Sequence, residues 1–190
     1  MAAKKAELAL YEIKILLQDS EPPIWRRVRV PRDILLFDLH TVIQFAMGWQ
    51  DDHMHEFVIG KKRYGEPESD EFNFGMGVVD ESIVRLNGVA KKNAKFLYHY
   101  DFGDDWRHLI HIEREIIDPA NTRSVICCDG ANACPPEDTG GIYGYAEKLA
   151  ILADANDPEH KDMLAWMGND FDPSHFDLAL TNQRLAGLEV

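Results

Sequence analysis

The sequence is short of cysteine, of basic residues and of long apolar runs, and each shortage excludes a class of protein. Its three cysteines are an odd number, and the adjacent pair Cys127 and Cys128 makes a poor disulfide framework. No apolar run approaches the ~18 residues of a membrane-spanning helix, and residues 1–7 lack the apolar stretch of a secretory signal. We therefore expect a cytoplasmic protein with reduced thiols and no membrane partner.

Basic side chains are scarce relative to acidic ones. The chain has 20 Lys and Arg against 33 Asp and Glu, which gives a formal net charge of −13 at pH 7. Because an acidic surface repels phosphate backbones, general nucleic-acid binding is disfavoured. One basic patch, residues 25–32 (WRRVRVPR), alternates with apolar residues, and the outward side of a strand explains it better than contact with an anion does.

Familiar catalytic motifs are also missing. The sequence contains no P-loop, no dinucleotide-binding glycine fingerprint, no nucleophile elbow and no HExxH motif. The cysteines have no CxxC spacing, which disfavours a zinc ribbon. Motifs alone therefore assign neither a reaction nor a catalytic residue.

The patterns that are present predict a single domain over residues 1–190, with residues 1–7 as a flexible tail. At 190 residues with 45% hydrophobic side chains, the chain can bury one core of ordinary size. Alternation predicts strands at residues 11–18, 24–30, 54–59, 82–86, 96–102 and 106–116. Residues 65–80 and 125–141 have many turn formers and are predicted to be loops.

Helical patterns occur once early and then only near the C-terminus. The 3.6-residue period predicts a helix that begins at Asp38 and ends at Gly48. Asp157 and Asp172, each followed by proline, predict the starts of two of about three C-terminal helices. This order favours the α+β class: a mainly antiparallel sheet from the N-terminal two-thirds, with the helices packed on it.

The segment YDFGDDWRH, residues 100–108, predicts a β-hairpin at the centre of the sheet. Gly103 would supply the positive φ that a tight turn requires. The pairing would gather three side chains over one surface, Tyr100, Trp106 and His108. With Asp101 and Asp104 they form either a ligand pocket or a buried network that fixes sheet register, and both alternatives stay open.

Two further segments supply candidate site residues. The loop CPPEDTGG, residues 134–141, adds Glu137 and Asp138 to the candidate pocket, although caps for the following helix are the simpler explanation for both carboxylates. In HMHEF, His53 and His55 would leave the same face of a strand, as in many metal sites. We therefore keep a divalent metal at these histidines as a hypothesis, with a loop feature as the alternative if the strand begins after His53.

Six segments together carry a family likeness. In chain order they are PPIWRRVRVP, LHTVIQFAMGW, HMHEF, YDFGDDWRH, CPPEDTGG and FDPSHFD. This set resembles the pRiA-plasmid ORF-three-like family, some members of which are labelled insertion-sequence passenger proteins of the TnpR, or resolvase, type. The resemblance implies a single α+β domain without an established activity. Resolvase chemistry has no support in the residues, because the only early serine, Ser20, lies in the acidic segment QDSEPP.

Two function hypotheses follow from the residues and the resemblance. The first is a binding or interaction module for an unknown protein or small ligand, associated with mobile elements, whose pocket lies between the hairpin and the 134–141 loop. The alternative is a metal-dependent hydrolase-like enzyme that uses the histidines with nearby carboxylates. No cofactor other than a divalent metal is indicated.

Overall fold

A mostly antiparallel sheet carries the fold within the residues that the computed structural model describes, which are 8–66, 77–118, 123–188 and 190. Its eight strands are β1 (Leu8–Leu17), β2 (Trp25–Pro31), β3 (His55–Ile59), β4 (Lys62–Gly65), β5 (Val79–Asp80), β6 (Lys95–Tyr100), β7 (Trp106–Asp118) and β8 (Ile126–Ala131). Their order is β5-β4-β3-β6-β7-β1-β2-β8, and of these neighbours only β4 and β5 run parallel. The predicted tail, residues 1–7, and most of the predicted loop 65–80 lie outside the described residues.

Helices occur early and at the C-terminal end. They are α1 (Leu36–Met47), α2 (Leu86–Val89), α3 (Gly141–Ala153), α4 (His160–Met167) and α5 (Leu178–Leu185), with a 3-10 helix at Glu81–Ile83. The predicted α+β class is therefore confirmed. Across the described ranges, none of these helices is long and apolar enough to cross a membrane.

Helix α1 lies over one face of the sheet and bonds two distant strands. The Nε of Arg26 on β2 donates to Ala46 O at 3.1 Å, and the Nδ1 of His40 lies 2.8 Å from the Tyr98 hydroxyl on β6. The core between the helix and the sheet is wholly buried. The helix contributes Leu39, Val42 and Ile43, and the strands contribute Ile13, Ile15, Val28 and Ile110. The helix begins two residues before the predicted cap, and it ends at Gly48, as predicted, where φ is 98°. This packing fixes the α1 C-terminus above the end of β6.

The opposite side of β2 carries ion pairs rather than a free basic patch. The pairs are Arg27 with Glu113 at 2.8 Å, Arg29 with Glu12 at 3.0 Å and Arg32 with Glu115 at 2.7 Å. The outward-strand interpretation of residues 25–32 is therefore confirmed for Arg27 and Arg29, whereas Arg32 lies in the turn that follows β2. Arg26 is the exception, because it is buried in the core.

The predicted loop over residues 125–141 is wrong in its first part, which forms the edge strand β8. Val28 of β2 pairs with Cys127 in an antiparallel register. On the other side Asn182 of α5 accepts from the Cys127 N–H through Oδ1 at 2.9 Å and donates to Cys127 O through Nδ2 at 2.9 Å. The strand forms because of partners that are distant in sequence, and its own residues show no alternation that would have revealed it.

The predicted strand at residues 82–86 is also wrong. The Asp80 carboxylate accepts from the Ser82 N–H at 2.8 Å and starts the 3-10 helix, after which Arg85 makes one isolated bridge to Leu35. Local capping by an aspartate therefore overrides the β-branched residues of this segment. The helix that follows, α2, has only four residues.

The predicted helix starts at Asp157 and Asp172 are wrong for a related reason. Each carboxylate accepts from the N–H two residues later, at 2.8 Å in both cases, and so forms a local turn. Helix α4 begins later, at His160, and α5 begins at Leu178, where the Asp177 carboxylate is the N-cap. These two Asp–Pro pairs therefore mark turns and not helix caps.

Candidate functional site

Three loops meet at the end of the sheet where β6 turns into β7. They are residues 48–54 before β3, residues 101–105 in the hairpin, and residues 132–140 before α3, and we call them together the loop rim. The Trp49 indole N–H donates to Pro135 O at 2.9 Å, which ties the first loop to the third. The Gly140 N–H donates to Asp104 Oδ2 at 2.9 Å, which ties the third loop to the hairpin.

The hairpin itself is confirmed, with Tyr100 paired to Trp106. The predicted role of Gly103 is wrong, because the positive φ angles in the turn belong to Asp101, at 52°, and Asp105, at 58°. Asp101 Oδ1 accepts from the Gly103 N–H at 2.9 Å and from the Asp104 N–H at 3.3 Å. Aspartate tolerates the left-handed region better than most residues, and its carboxylate stabilises the turn here from inside.

Aromatic rings fill the space under the loop rim. The Trp49 ring centroid lies 5.1 Å from that of Tyr100, 5.8 Å from that of Trp106 and 5.1 Å from that of His108. The predicted gathering of Tyr100, Trp106 and His108 over one surface is therefore what the pairing produces. Trp106 and His108 are almost wholly buried, at 1% and 0% exposed. They form the floor of the site, beneath the residues that solvent reaches.

His108 is a neutral core residue in this structure. Neither of its ring nitrogens has a hydrogen-bond partner of good geometry among the described residues. Burial lowers its pKa to about 3, because charging the ring away from water is costly. At neutral pH the ring is therefore uncharged, and its complete burial keeps it out of reach of a solvent-facing reaction.

Tyr100 joins the floor to the third loop. Its hydroxyl donates to Glu137 Oε1 at 2.5 Å and accepts from the Asp52 N–H at 3.1 Å. Burial and the Glu137 carboxylate raise the Tyr100 pKa well above its ordinary value, so the hydroxyl remains a donor. Glu137 Oε1 also accepts from the Gln50 N–H at 3.2 Å. This carboxylate holds the loops together and does not cap α3.

His53 lies on the open side of the rim between two carboxylates. Its Nε2 is 3.7 Å from Asp101 Oδ2 and 3.4 Å from Asp138 Oδ1. One donor atom from each of the three residues lies within 4.8 Å of the others. The side chains are 30%, 11% and 79% exposed for His53, Asp101 and Asp138, so solvent reaches the group from the Asp138 side. We call these three residues the rim triad.

His55 belongs to a different group, although only one residue separates it from His53. Strand β3 begins at His55, so the alternation that would place both rings on one face does not extend to His53. The His55 Nε2 lies 2.9 Å from Oε1 of the buried Glu81, and its ring stacks on His40 with centroids 3.4 Å apart and an interplanar angle of 4°. The two predicted metal histidines therefore point to separate partners.

The hydrogen bonds around His40 determine its tautomer. Gln44 Oε1 accepts from the Asp51 N–H at 3.1 Å, so the amide nitrogen of Gln44 is the group that donates to the Tyr98 hydroxyl at 2.9 Å. The hydroxyl proton of Tyr98 then has His40 Nδ1 as its acceptor, at 2.8 Å. The other ring nitrogen, Nε2, carries hydrogen and donates to Asp51 Oδ1 at 2.8 Å. Burial, together with the nearby His55, lowers the His40 pKa to about 3 and keeps the ring neutral.

We call His40, Gln44, Asp51, His55, Glu81 and Tyr98 the buried network, in which Asp51 is the exposed end, with 54% of its side chain accessible to solvent. Its donor atoms from His40, Asp51 and His55 are close enough to suggest a metal site. Both nitrogens of His40 are already used, however, and lone pairs in two parallel rings cannot converge on one ion. The buried network is therefore a set of satisfied hydrogen bonds, and the rim triad is the group with unused ligand atoms.

Sequence reasoning missed the residues that link these groups. Trp49, Tyr98 and Glu81 were not predicted as site residues. One signal was available in the spacing of His40 and Gln44, one turn apart on α1, and both do bind the same Tyr98 hydroxyl. No spacing relates Glu81 to His55, because the sheet brings them together from elements 26 positions apart.

Comparisons with known proteins agree on the kind of protein. Residues 9–180 match the family described as plasmid pRiA4b ORF-3-like protein. The "Uncharacterized protein y4hQ" of Sinorhizobium fredii (strain NBRC 101917 / NGR234) is 39% identical over 177 residues, which is 92% of this chain and 87% of that protein. The crystal structure of the protein of unknown function MM3350 from Methanosarcina mazei Go1 is similar with a TM-score of 0.81 and 36% identity, over 91% of this chain and 97% of that one.

Proposed function

This chain belongs to the plasmid pRiA4b ORF-3-like family, and from its loop rim we propose that it is a binding module that holds a divalent cation at His53, Asp101 and Asp138. The observation that carries the proposal is the approach of one imidazole and two carboxylates from three separate loops. The donor atoms are 3.4 and 3.7 Å apart where His53 meets each aspartate. Ligands ~2.1 Å from a metal are themselves ~3.0 to 3.4 Å apart. The three donor atoms all lie within 4.8 Å of one another, so a bound cation would draw them closer together.

Charge and ligand chemistry support a cation here. The chain has a net charge of −13, and each of the three loops contains further carboxylates in its sequence. One nitrogen and two oxygens suit Mn²⁺ or Zn²⁺ better than the hard ions that prefer oxygen alone. Neighbouring Glu137 is already bonded to Tyr100 and Gln50, so it orients the loop that carries Asp138.

The backbone of the triad allows a clean test. Asp101 and Asp138 have positive φ angles of 52° and 58°, and asparagine tolerates that region as well as aspartate does. The Asp101→Asn side chain keeps a carbonyl oxygen that can accept from the Gly103 N–H. Each substitution therefore removes a charged ligand and preserves the turn.

The experiment is calorimetric titration of untagged, EDTA-treated protein with MnCl₂ and with ZnCl₂. We expect one cation per chain, with affinity lowered at least about tenfold in Asp138→Asn and in His53→Ala, since each loses one of three ligands. The matched control is His175→Ala, which removes an exposed histidine far along the chain and leaves the affinity unchanged. Absence of saturable binding below about 1 mM cation, or equal binding by the Asp101→Asn/Asp138→Asn double variant, would reject the proposal.

A second candidate function is metal-dependent hydrolysis at the same triad. The number of protein ligands favours this function. A metal ion held by only three side chains keeps coordination positions open for water and substrate. The test is Mn²⁺-dependent release of nitrophenol from nitrophenyl phosphate and nitrophenyl acetate. Turnover that His53→Ala abolishes and His175→Ala retains supports an enzyme. Equal rates in these two variants leave the cation-binding module as the function.

The family description refers to a plasmid open reading frame, and that wording supports the proposed association with mobile elements. Such an association predicts that genes for similar chains lie beside transposase or plasmid-maintenance genes more often than chance allows. A survey of gene neighbourhoods checks this directly. Random placement on chromosomes would remove the association without affecting the cation site.

A further inference from the structure

Among the described residues, two arginines lack the carboxylate partner that the other eight arginines have. Of the ten arginines, eight form ion pairs with a carboxylate: Arg27, Arg29, Arg32, Arg63, Arg85, Arg107, Arg114 and Arg123. Within the described part of the chain, Arg26 and Arg184 pair with none. This is notable because the chain has 33 acidic residues and a net charge of −13.

The two unpaired arginines are also neighbours. Arg26 is 3% exposed, and its guanidinium donates to three backbone carbonyls and lies over the Phe176 ring, 4.1 Å from the centroid. Its pKa is lowered mainly by burial, and the charge of Arg184 lowers it further. The buried Arg26 guanidinium therefore adds its positive charge to that of Arg184 and raises the positive potential in this region.

Arg184 lies beside an open cavity of about 530 Å³. The cavity is lined by Phe45, Gly48, Trp49, Gln50 and Arg184. A Cβ added to Gly48 would come within 2.7 Å of Arg184 Nη1, so the absence of a side chain at Gly48 lets the guanidinium reach the cavity wall. The volume is within the range of small-molecule sites, ~300 to 1,000 Å³.

A purely structural role explains Arg184 less well. A cation near the C-terminus of α1 is stabilised by the helix dipole. Gln44 O, however, already accepts from the Gly48 and Trp49 N–H groups, and Ala46 O already accepts from Arg26. Arg184 is exposed and donates no hydrogen bond to another residue in the described ranges, so its planar fork of donors faces solvent and is open to a ligand.

We propose that this cavity binds the carboxylate of a small organic monoanion, with Arg184 as the charged anchor and the half-exposed Phe45 as the main apolar lining residue. The planar guanidinium matches a carboxylate with two parallel hydrogen bonds. A monoanion with an apolar body suits the cavity better than a phosphate, because the acidic protein repels a doubly charged group more strongly. This site is distinct from the rim triad and does not depend on a cation there.

The experiment uses benzoate as the probe and benzamide as its uncharged counterpart. The full-length protein is kept in EDTA, so that the result is independent of any cation at the rim. Binding is followed by the backbone amide shifts of Gly48 and Gln50 in two-dimensional NMR. We expect saturable shifts with benzoate, and at least about tenfold weaker affinity in Arg184→Gln, because a charge-assisted pair is lost. Arg184→Lys should retain part of the affinity.

The matched control is Arg32→Gln, whose side chain is 45% exposed and pairs with Glu115 on the arginine-rich strand. It should bind benzoate as the unmodified protein does, and all variants should show the same thermal melt. Equal affinity in Arg184→Gln, equal affinity for benzamide, or no saturation by about 10 mM benzoate would overturn the proposal. Tighter binding of inorganic phosphate than of benzoate would show that the ligand class is wrong.

Discussion

The buried network and the rim triad lie close together, yet their polar atoms differ in how they are used. In the buried network each nitrogen of His40 has one partner, and the Tyr98 hydroxyl both donates and accepts. In the rim triad His53 lies 3.4 and 3.7 Å from its two aspartates, at the long end of or beyond hydrogen-bond range. A cluster of polar side chains therefore does not by itself identify a ligand site. What distinguishes the rim triad is that its ligand atoms are not already engaged in hydrogen bonds of good geometry with other residues.

The largest expected effect that tests this contrast is on stability, from Tyr98→Phe. Loss of the hydroxyl leaves the Gln44 amide and His40 Nδ1 without their partner in a buried position. We expect the free energy of unfolding to fall by about 2–4 kcal/mol, measured by urea denaturation. The cation affinity of the rim triad should be unaffected.

Tyr143→Phe is the control for this substitution, because Tyr143 is 87% exposed and loses the same hydroxyl in water. Its stability should match that of the unmodified protein. A loss below about 0.5 kcal/mol in Tyr98→Phe would break the contrast, since the buried network would then contribute no more than an exposed group.

An intermediate effect concerns pH and His108. Its pKa is about 3 in the folded chain against 6.5 for the ordinary side chain, so below pH 6.5 the unfolded chain binds a proton that the folded chain does not. Stability from this residue is full above pH 6.5 and is lost as the pH falls toward 3. When the pH falls from 7 to 5, the unmodified protein should lose about 2 kcal/mol of its free energy of unfolding through His108. The His108→Leu variant should not show this loss. Urea denaturation of both proteins at each pH measures the difference.

The slope that remains in His108→Leu should come partly from His40, whose pKa is also lowered to about 3 by burial. His175→Leu is the control, because that side chain is exposed and the pH dependence should keep its original slope. An unchanged slope in His108→Leu would show that His108 is protonated or solvated in the folded chain.

The smallest expected effect is on the stability of the rim itself. Asp138 is 79% exposed, and asparagine fits its φ of 58°. Without metal, Asp138→Asn should change the free energy of unfolding by less than about 0.5 kcal/mol. With Mn²⁺ or Zn²⁺ present, the unmodified protein should melt at a higher temperature than this variant does. A loss above about 1 kcal/mol without metal would assign the rim triad to the framework of the fold.

The sequence predicted the hairpin and its aromatic face because both depend on local alternation. Phe96, Tyr98 and Tyr100 share one parity, and the pairing of β6 with β7 follows from the short connection between them. The turn conformation was missed because the segment offers aspartates as well as a glycine for the positive φ. Asp101 takes that role because its own carboxylate accepts from the Gly103 N–H at 2.9 Å.

The rest of the site depends on contacts that no local pattern encodes. Glu81 meets His55 only because the sheet places β3 near the segment that follows β5. Trp49 follows the terminating glycine of α1 and resembles an ordinary loop residue until the packing of α1 places it over Tyr100. Strand β8 likewise needs β2 and α5 to form. Local sequence patterns therefore predict individual strands and helices of the described chain. They do not predict the loop rim, because its contacts form only in the packed structure.

The contact between Asn182 and β8 has a consequence for how this chain meets other chains. An edge strand with free backbone groups is a template on which a peptide or a second copy can add a strand. At Cys127 both backbone groups are occupied by a side-chain amide that imitates the next strand. Sheet extension is therefore blocked at that position of the β8 edge.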